Sequence, residues 1–217
     1  MKKIITILSG VIACCALQAQ DPSSPTSKPI TKIYFQAGAG QVSRGGSQGE
    51  MSVQAIIKNK WVTTVSYHTL TMKAKNLPGD YEPGWGWILF IPYTNNEGNI
   101  KMDLFNFTAG RYFPAGQNCW FTTEAGISII NGEKASFERA TDVTPVGFLF
   151  GEDHPSNYTV TKERKTAIGG VIRADFNWAF TSFMGAGAGV CANFNSIQSP
   201  VGYEIKLIVG RMNRAKK

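Results

Sequence analysis

One hairpin, Ser182 to Arg211, constrains the fold of this chain more than any other stretch. In its return limb Val201, Tyr203, Ile205, Leu207 and Val209 share one parity, Gly202, Glu204, Lys206 and Gly210 take the other, and Ile208 is the exception. A period of two is a β-strand with one apolar and one polar face. The outgoing limb sets Ala186, Ala188, Val190, Ala192 and Phe194 against Gly185, Gly187, Gly189, Cys191, Asn193 and Asn195, so one of its faces is small or polar throughout. Such a pair either buries its bulky face against a second sheet or turns that face to lipid and lines a barrel with the other.

The N-terminus bears on this choice. Met1-Lys2-Lys3, an apolar run from Ile4 to Ala13, and Cys14-Cys15-Ala16-Leu17-Gln18-Ala19 read as a bacterial secretory signal cleaved after Ala19, too short to span a membrane as a helix. The alternative is a lipoprotein signal acylated at Cys14. Residues 20–31, rich in Ser, Pro and Thr, read as a flexible leader, residues 32–212 as one domain, and residues 213–217 as a basic tail. Removing the two signal lysines lowers the formal charge from +7 to +5, which solvated loops and the basic tail account for. An exported chain with no clustered basic and aromatic face is not expected to bind nucleic acid. Cys119 and Cys191 remain in the mature chain; they fall near opposite ends and on opposite faces of different strands, so two free, buried thiols are expected.

No run after the signal is long enough for a membrane helix. The remaining pattern is β throughout. Strands are expected at 32–43, 50–58, 61–72, from 100 to about 113, 119–130, 158–180, 183–195 and 201–211. A change of phase at Leu104-Phe105, where Ile100, Met102 and Leu104 give way to Phe105, Phe107 and Ala109 on the apolar face, predicts a one-residue bulge. Longer connections follow the first, third, fifth and seventh strands and short turns the others. That asymmetry fits a transmembrane barrel. The prediction is an all-β, eight-stranded antiparallel up-and-down transmembrane β-barrel, with ten strands if the long insertions 73–99 and 131–157 each contribute one.

The signal, the closing hairpin, and the aromatic residues near strand ends (Trp61, Tyr112 with Phe113, Trp120 with Phe121, Trp178 with Phe180) resemble the small porin-like and OmpA-like eight-stranded barrels of Gram-negative outer membranes over about Lys32 to Arg211. The resemblance implies an outer-membrane location, contact with outer-membrane lipid, and insertion by the barrel-assembly machinery. One departure is that such barrels commonly end on an aromatic residue, whereas this chain ends Arg-Ala-Lys-Lys.

Parity then assigns faces. Met51, Val53, Ile57, Phe121, Ile127, Ile172, Val190, Tyr203, Ile205 and Leu207 are expected to face lipid. Glu50, Lys101, Asp103, Glu124, Lys165, Arg173, Asp175, Glu204 and Lys206 are expected in the lumen. Eight strands leave an interior that side chains fill, so these charges should neutralise one another as a plug. The functional alternative makes Glu124, Arg173 and Glu204 a solute-selective constriction. Ser66 and His68 share parity, as in lipid-modifying barrel enzymes, but no acid is placed beside them; catalysis is not expected. His154, next to Glu152 and Asp153, lacks enough ligands for a metal, and no cofactor is expected. The apolar patches Trp85–Tyr93 and Val146–Phe150 are expected to cap the barrel mouth by packing on each other, or else to meet an extracellular partner.

The expected role is a non-enzymatic outer-membrane protein, structural or interacting through its loops, or passing small solutes weakly. The competing fold is a soluble or lipid-anchored lipocalin-like barrel around an apolar ligand, which reverses every inside and outside assignment.

Overall fold

The computed structural model describes residues 30–88, 91–95, 97–141, 146–148, 151–153 and 155–212. The expected signal, residues 20–29 of the leader, Cys14, His154 and the tail from residue 213 lie outside the described residues. Among those described there are twelve strands: β1 (Ile30–Val42), β2 (Gly46–Ile57), β3 (Trp61–Lys73), β4 (Gly84–Ile88), β5 (Ile91–Asn95), β6 (Asn99–Pro114), β7 (Cys119–Arg139), β8 (Val146–Phe148), β9 (Gly151–Asp153), β10 (Tyr158–Ala179), β11 (Met184–Phe194) and β12 (Val201–Arg211). Among the described residues no helix is long and apolar enough to cross a membrane.

Eight strands form a closed barrel in the order β1-β12-β11-β10-β7-β6-β3-β2, every neighbouring pair antiparallel. β12 closes the ring on β1, in register from Ile33 opposite Arg211 to Val42 opposite Gly202. Closure leaves no unpaired edge, which is what permits strands to stand in hydrocarbon. The two long insertions add two separate hairpins, β4–β5 and β8–β9, outside the ring, so the ten-stranded alternative falls.

On the side of the termini the connections are tight. Lys58 and Asn59 both take left-handed backbone (φ 52° and 51°), and Lys60 N donates to Ile57 O at 3.1 Å. Two consecutive left-handed residues give a hairpin turn whose twist matches the strands. At the next but one turn the Thr181 hydroxyl oxygen accepts from Phe183 N and Met184 N. On the opposite side the β1–β2 connection, Ser43 to Gly45, is as short as those turns, contrary to the expected alternation. The length there comes from residues 74–98 and 140–157, and from β7 and β10 themselves. Those two strands pair from Trp178 opposite Cys119 to Tyr158 opposite Arg139, whereas β11 pairs β10 only from Gly170 onward and β6 pairs β7 only up to Gly132. Their outer halves therefore rise above the ring as a two-stranded ribbon.

Burial sets the two faces without ambiguity. Along β12, Tyr203, Ile205 and Leu207 are 56%, 72% and 50% exposed while Glu204 and Lys206 are 2% and 1% exposed. Met51, Phe121, Ile127, Ile172 and Val190 also point outward, with Val53 and Ile57 half-buried on the same face. An apolar exterior around a polar interior is the arrangement of a barrel in lipid and the inverse of a lipocalin. Near the termini this exterior is ringed by aromatics: Trp178 meets Phe180 edge-on at 4.7 Å, Phe121 meets Phe176 at 4.9 Å, and Arg111 lies 3.8 Å over Trp61. Rings with a polar edge or a cationic neighbour suit the membrane boundary.

The predicted bulge in β6 is absent. β6 runs in unbroken register against β3 from Lys73 opposite Asn99 to Trp61 opposite Arg111. Ile100, Met102 and Leu104 point into the barrel with Asn106 and Thr108, and Phe105 and Phe107 point out. What changes at residue 104 is the lining of the lumen. Cys119 and Cys191 are both free, with Cys191 buried and Cys119 only half-buried.

Candidate functional site

The lumen is built in three layers. At the end near the termini Tyr34, Ile56, Val62, Tyr112, Trp120, Ala179, Ile208 and Met212 pack together. Lys32 is held there over the Trp120 ring at 4.3 Å, its ammonium donating to Tyr112 OH at 2.9 Å. At the loop end Val42, Leu70, Met72, Ala74, Ile100, Met102, Leu104, Ile130 and Ala135 form a second apolar cluster. Ile197 packs on it from the last loop, and Gln198 reaches in to donate to Met72 Sδ and Lys73 O. This cluster closes the mouth. The expected cap of Trp85–Tyr93 on Val146–Phe150 falls on side chains, 86–93 and 146–150, that lie outside the described residues; Trp85 itself is exposed.

Between the two clusters lies a polar layer centred on Arg173 and Lys206. Arg173 Nη1 donates to Glu50 Oε1 at 2.9 Å, and its Nη2 and Nε reach Asp175 Oδ2 at 2.9 and 3.1 Å. Lys206 Nζ donates to Asp175 Oδ1 at 2.7 Å and pairs with Glu204 Oε1 at 2.9 Å and Glu50 Oε2 at 3.0 Å, so three carboxylates surround the ammonium. Glu124 stands 4.0 Å from Arg173 Nε and accepts from Gln54 Nε2 at 2.6 Å and Thr108 Oγ1 at 2.7 Å. From Gln54 the chain of hydrogen bonds continues to Tyr34 OH, to which Trp120 Nε1 donates at 3.1 Å. Ser52 Oγ donates to Gln36 Oε1, and Gln36 Nε2 to Asn177 Oδ1. Charged groups taken out of water need partners of this quality, and here six strands supply them.

Glycines make the layer possible. A Cβ on Gly189 would sit 2.0 Å from Asp175 Oδ1, and one on Gly187 2.7 Å from Asn177 Oδ1. β11 is thus kept flat where β10 and β12 send charges across its face. Gly189→Val is expected to cost about 1–3 kcal/mol as overpacking, read as a lower urea midpoint in detergent. Gly170, where a Cβ meets nothing within 4 Å, serves as the control; equal midpoints for Gly189→Val and Gly170→Ala would remove the steric argument.

Of the lumen charges expected from parity, the structure brings together Glu50, Glu124, Arg173, Asp175, Glu204 and Lys206, each 3% exposed or less. Lys101 and Asp103 are corrected to the outside. Both are exposed on the outer face of β6, where Asp103 Oδ1 accepts from Tyr67 OH at 2.8 Å. Lys165 is likewise exposed, on the ribbon, 3.2 Å from Glu163. The cause is depth: above the apolar belt the exterior is wet, so charges belong there and apolar side chains fill the mouth. The lumen also holds Gln36, Gln54, Asn106, Asn177 and Lys32, which the parity of charges does not mark, although Gln36 and Gln54 share parity with inward residues of their own strands. Ser66 and His68 do meet, with His68 Nε2 3.1 Å from Ser66 Oγ, and contrary to expectation an acid stands beside them, Glu50 Oε1 at 3.8 Å from His68 Nε2; all three are sealed in the lumen.

No family model matches the sequence, and no curated protein matches it. Solved structures do. The chain is similar to the N-terminal β-barrel domain of Pseudomonas aeruginosa OprF, at 11% identity and TM-score 0.50, over 82% of this chain and 96% of that one. It is similar to Neisserial surface protein A at 14% identity and TM-score 0.50, again over 82% of this chain and 96% of that one. At such identities the likeness concerns the fold, which is that of an eight-stranded transmembrane β-barrel.

Proposed function

We propose that the protein is a non-enzymatic outer-membrane barrel whose filled lumen serves as an anchor, holding the β7–β10 ribbon and its adjoining loops outside the cell. The observation that carries this reading is the three-layered lumen: a layer of paired charges closed at each end by an apolar cluster. An open pathway for solute would need both clusters and the Arg173–Lys206 network to part together, so the constriction alternative has little support.

The ribbon is braced, as an interaction platform should be. Asp80 accepts from Tyr158 OH at 2.8 Å and pairs with Arg139 at 3.4 Å, and its carbonyl accepts from Asn157 Nδ2. Glu82 N donates to Asn157 Oδ1, Asn76 Nδ2 to Ala135 O, and Tyr81 packs edge-on to Phe137 at 5.8 Å. A loop already ordered against its support loses less entropy when a partner binds. Insertion by the barrel-assembly machinery, export by the N-terminal signal and an extracellular partner belong to the same proposal.

Two measurements test it. The protein should fractionate with the envelope, dissolve only in detergent and migrate differently on a gel when unboiled; recovery as a soluble periplasmic monomer overturns the location. Reconstituted in a planar bilayer it should show no steady conductance, and stable ohmic channels would overturn the filled-lumen reading.

A further inference from the structure

The charge layer has a feature that the anchoring role does not use. Four buried carboxylates, Glu50, Glu124, Asp175 and Glu204, face two buried cations, Arg173 and Lys206, with the imidazole of His68 beside them. Written as ions, with a neutral imidazole, the acids exceed the bases by two charges. Lys32, the next cation below, is separated from them by the Tyr34–Trp120 layer, engaged with Tyr112 and the Trp120 ring. The surplus is also localised. Glu204 is 2% exposed, its Oε1 is taken by Lys206, and its Oε2 meets no side-chain or backbone donor, its carboxyl lying against that of Glu50. One donor atom from each of Glu50, His68 and Glu204 lies within 4.8 Å of the other two.

We propose that Glu50, His68 and Glu204 form an internal binding site for one divalent transition-metal ion of the Zn2+ class. A dication there balances the two surplus charges and gives Glu204 Oε2 the partner it lacks. One imidazole nitrogen with two carboxylate oxygens suits Zn2+ or Co2+ rather than Ca2+ or Mg2+, which are bound by oxygen. Ser66 Oγ lies 3.1 Å from His68 Nε2, Lys206 holds Glu204 Oε1, and Glu50, whose two oxygens are held by Arg173 and Lys206, reaches the ion through a lone pair those cations leave free. Glu50 and His68 are cross-strand partners in the β2–β3 hairpin, whereas Glu204 comes from β12, which joins them only by closing on β1, so the site exists only once the barrel has closed. Because apolar clusters shut both ends, the ion is taken up as the barrel folds.

The test is refolding of tag-free protein from urea into detergent with Co2+ present, followed by a chelator wash. Wild type should retain one equivalent by elemental analysis, with the visible absorption of low-coordinate Co2+. Glu204→Gln and His68→Asn, shown to be folded by their gel shift, should retain at least about tenfold less, while Glu163→Gln on the exposed ribbon should retain as much as wild type. Folded wild type that keeps no Co2+, with an infrared carbonyl band of protonated carboxylic acids in its place, overturns the proposal. Equal retention in Glu204→Gln marks the metal as an adventitious ion only and also overturns it. If neither ligand variant folds, the wild-type Co2+ spectrum decides: octahedral, water-like absorption would count against the site.

Discussion

Arg173→Ala is expected to lower the stability of the barrel by about 3–5 kcal/mol, the usual cost of removing one member of a buried ion pair. The guanidinium spans two carboxylates, Glu50 through Nη1 and Asp175 through Nη2 and Nε, with Glu124 at 4.0 Å. Truncation takes the guanidinium from all three in a space closed to water, leaving Glu50 and Asp175 to share Lys206, which already serves Glu204 as well. Urea unfolding in detergent, followed by loss of the folded band on an unboiled gel, gives the measurement. Arg173→Lys should recover part of the loss, because it restores charge without the fork that reaches two acids at once. A triple change, Arg173→Met with Glu50→Gln and Asp175→Asn, should cost less than Arg173→Ala alone, since the damage comes from uncompensated charge. An unchanged urea midpoint for Arg173→Ala would mean that the layer fills the lumen without supporting it.

The strands were legible in the sequence because a barrel wall obeys one rule over most of its height. Residues of β12 alternate Tyr203, Glu204, Ile205, Lys206 and Leu207, and each alternate goes to lipid or to lumen. Six lumen charges follow from that rule alone. It fails where its premise fails. Lys101 and Asp103 alternate with Ile100, Met102 and Leu104, and an apolar-means-lipid reading puts the charges inside. At that height the exterior is polar and the interior must be plugged, so the true inside is the apolar parity, and the supposed bulge in β6 is only the level at which the lining changes. The continuation of β7 to Arg139 was hidden for a related reason. Residues 131–139 pair with 158–166 above the membrane, where neither strand has a lipid face to mark it. Glu50 meets His68 through the β2–β3 hairpin register, but the approach of Glu204 was not legible, since ring closure sets which distant strands meet.

Leu207→Arg should cost about 2–4 kcal/mol, the depth-dependent price of a cation on the lipid face near the bilayer midplane. Leu207 is 50% exposed, faces outward between Ala37 of β1 and Ala186 of β11, and follows Lys206, which sits in the middle of the lumen. The surrounding alanines leave no polar group to receive a guanidinium, so it must snorkel along the strand or thin the bilayer. The same change at Val201, near the loop end of β12, should cost far less, because the interface is close. Gly187→Leu completes the argument from the other side of the wall: its side chain must enter the space held by Asn177, and it should lower the urea midpoint as well. The pair is diagnostic because the two faces make opposite demands, one refusing charge and the other refusing bulk. If Leu207→Arg were tolerated and Gly187→Leu did no harm, the glycine row would face outward and the apolar row inward. The protein would then be a ligand-holding barrel, and Arg173 and Lys206 could not share a buried layer.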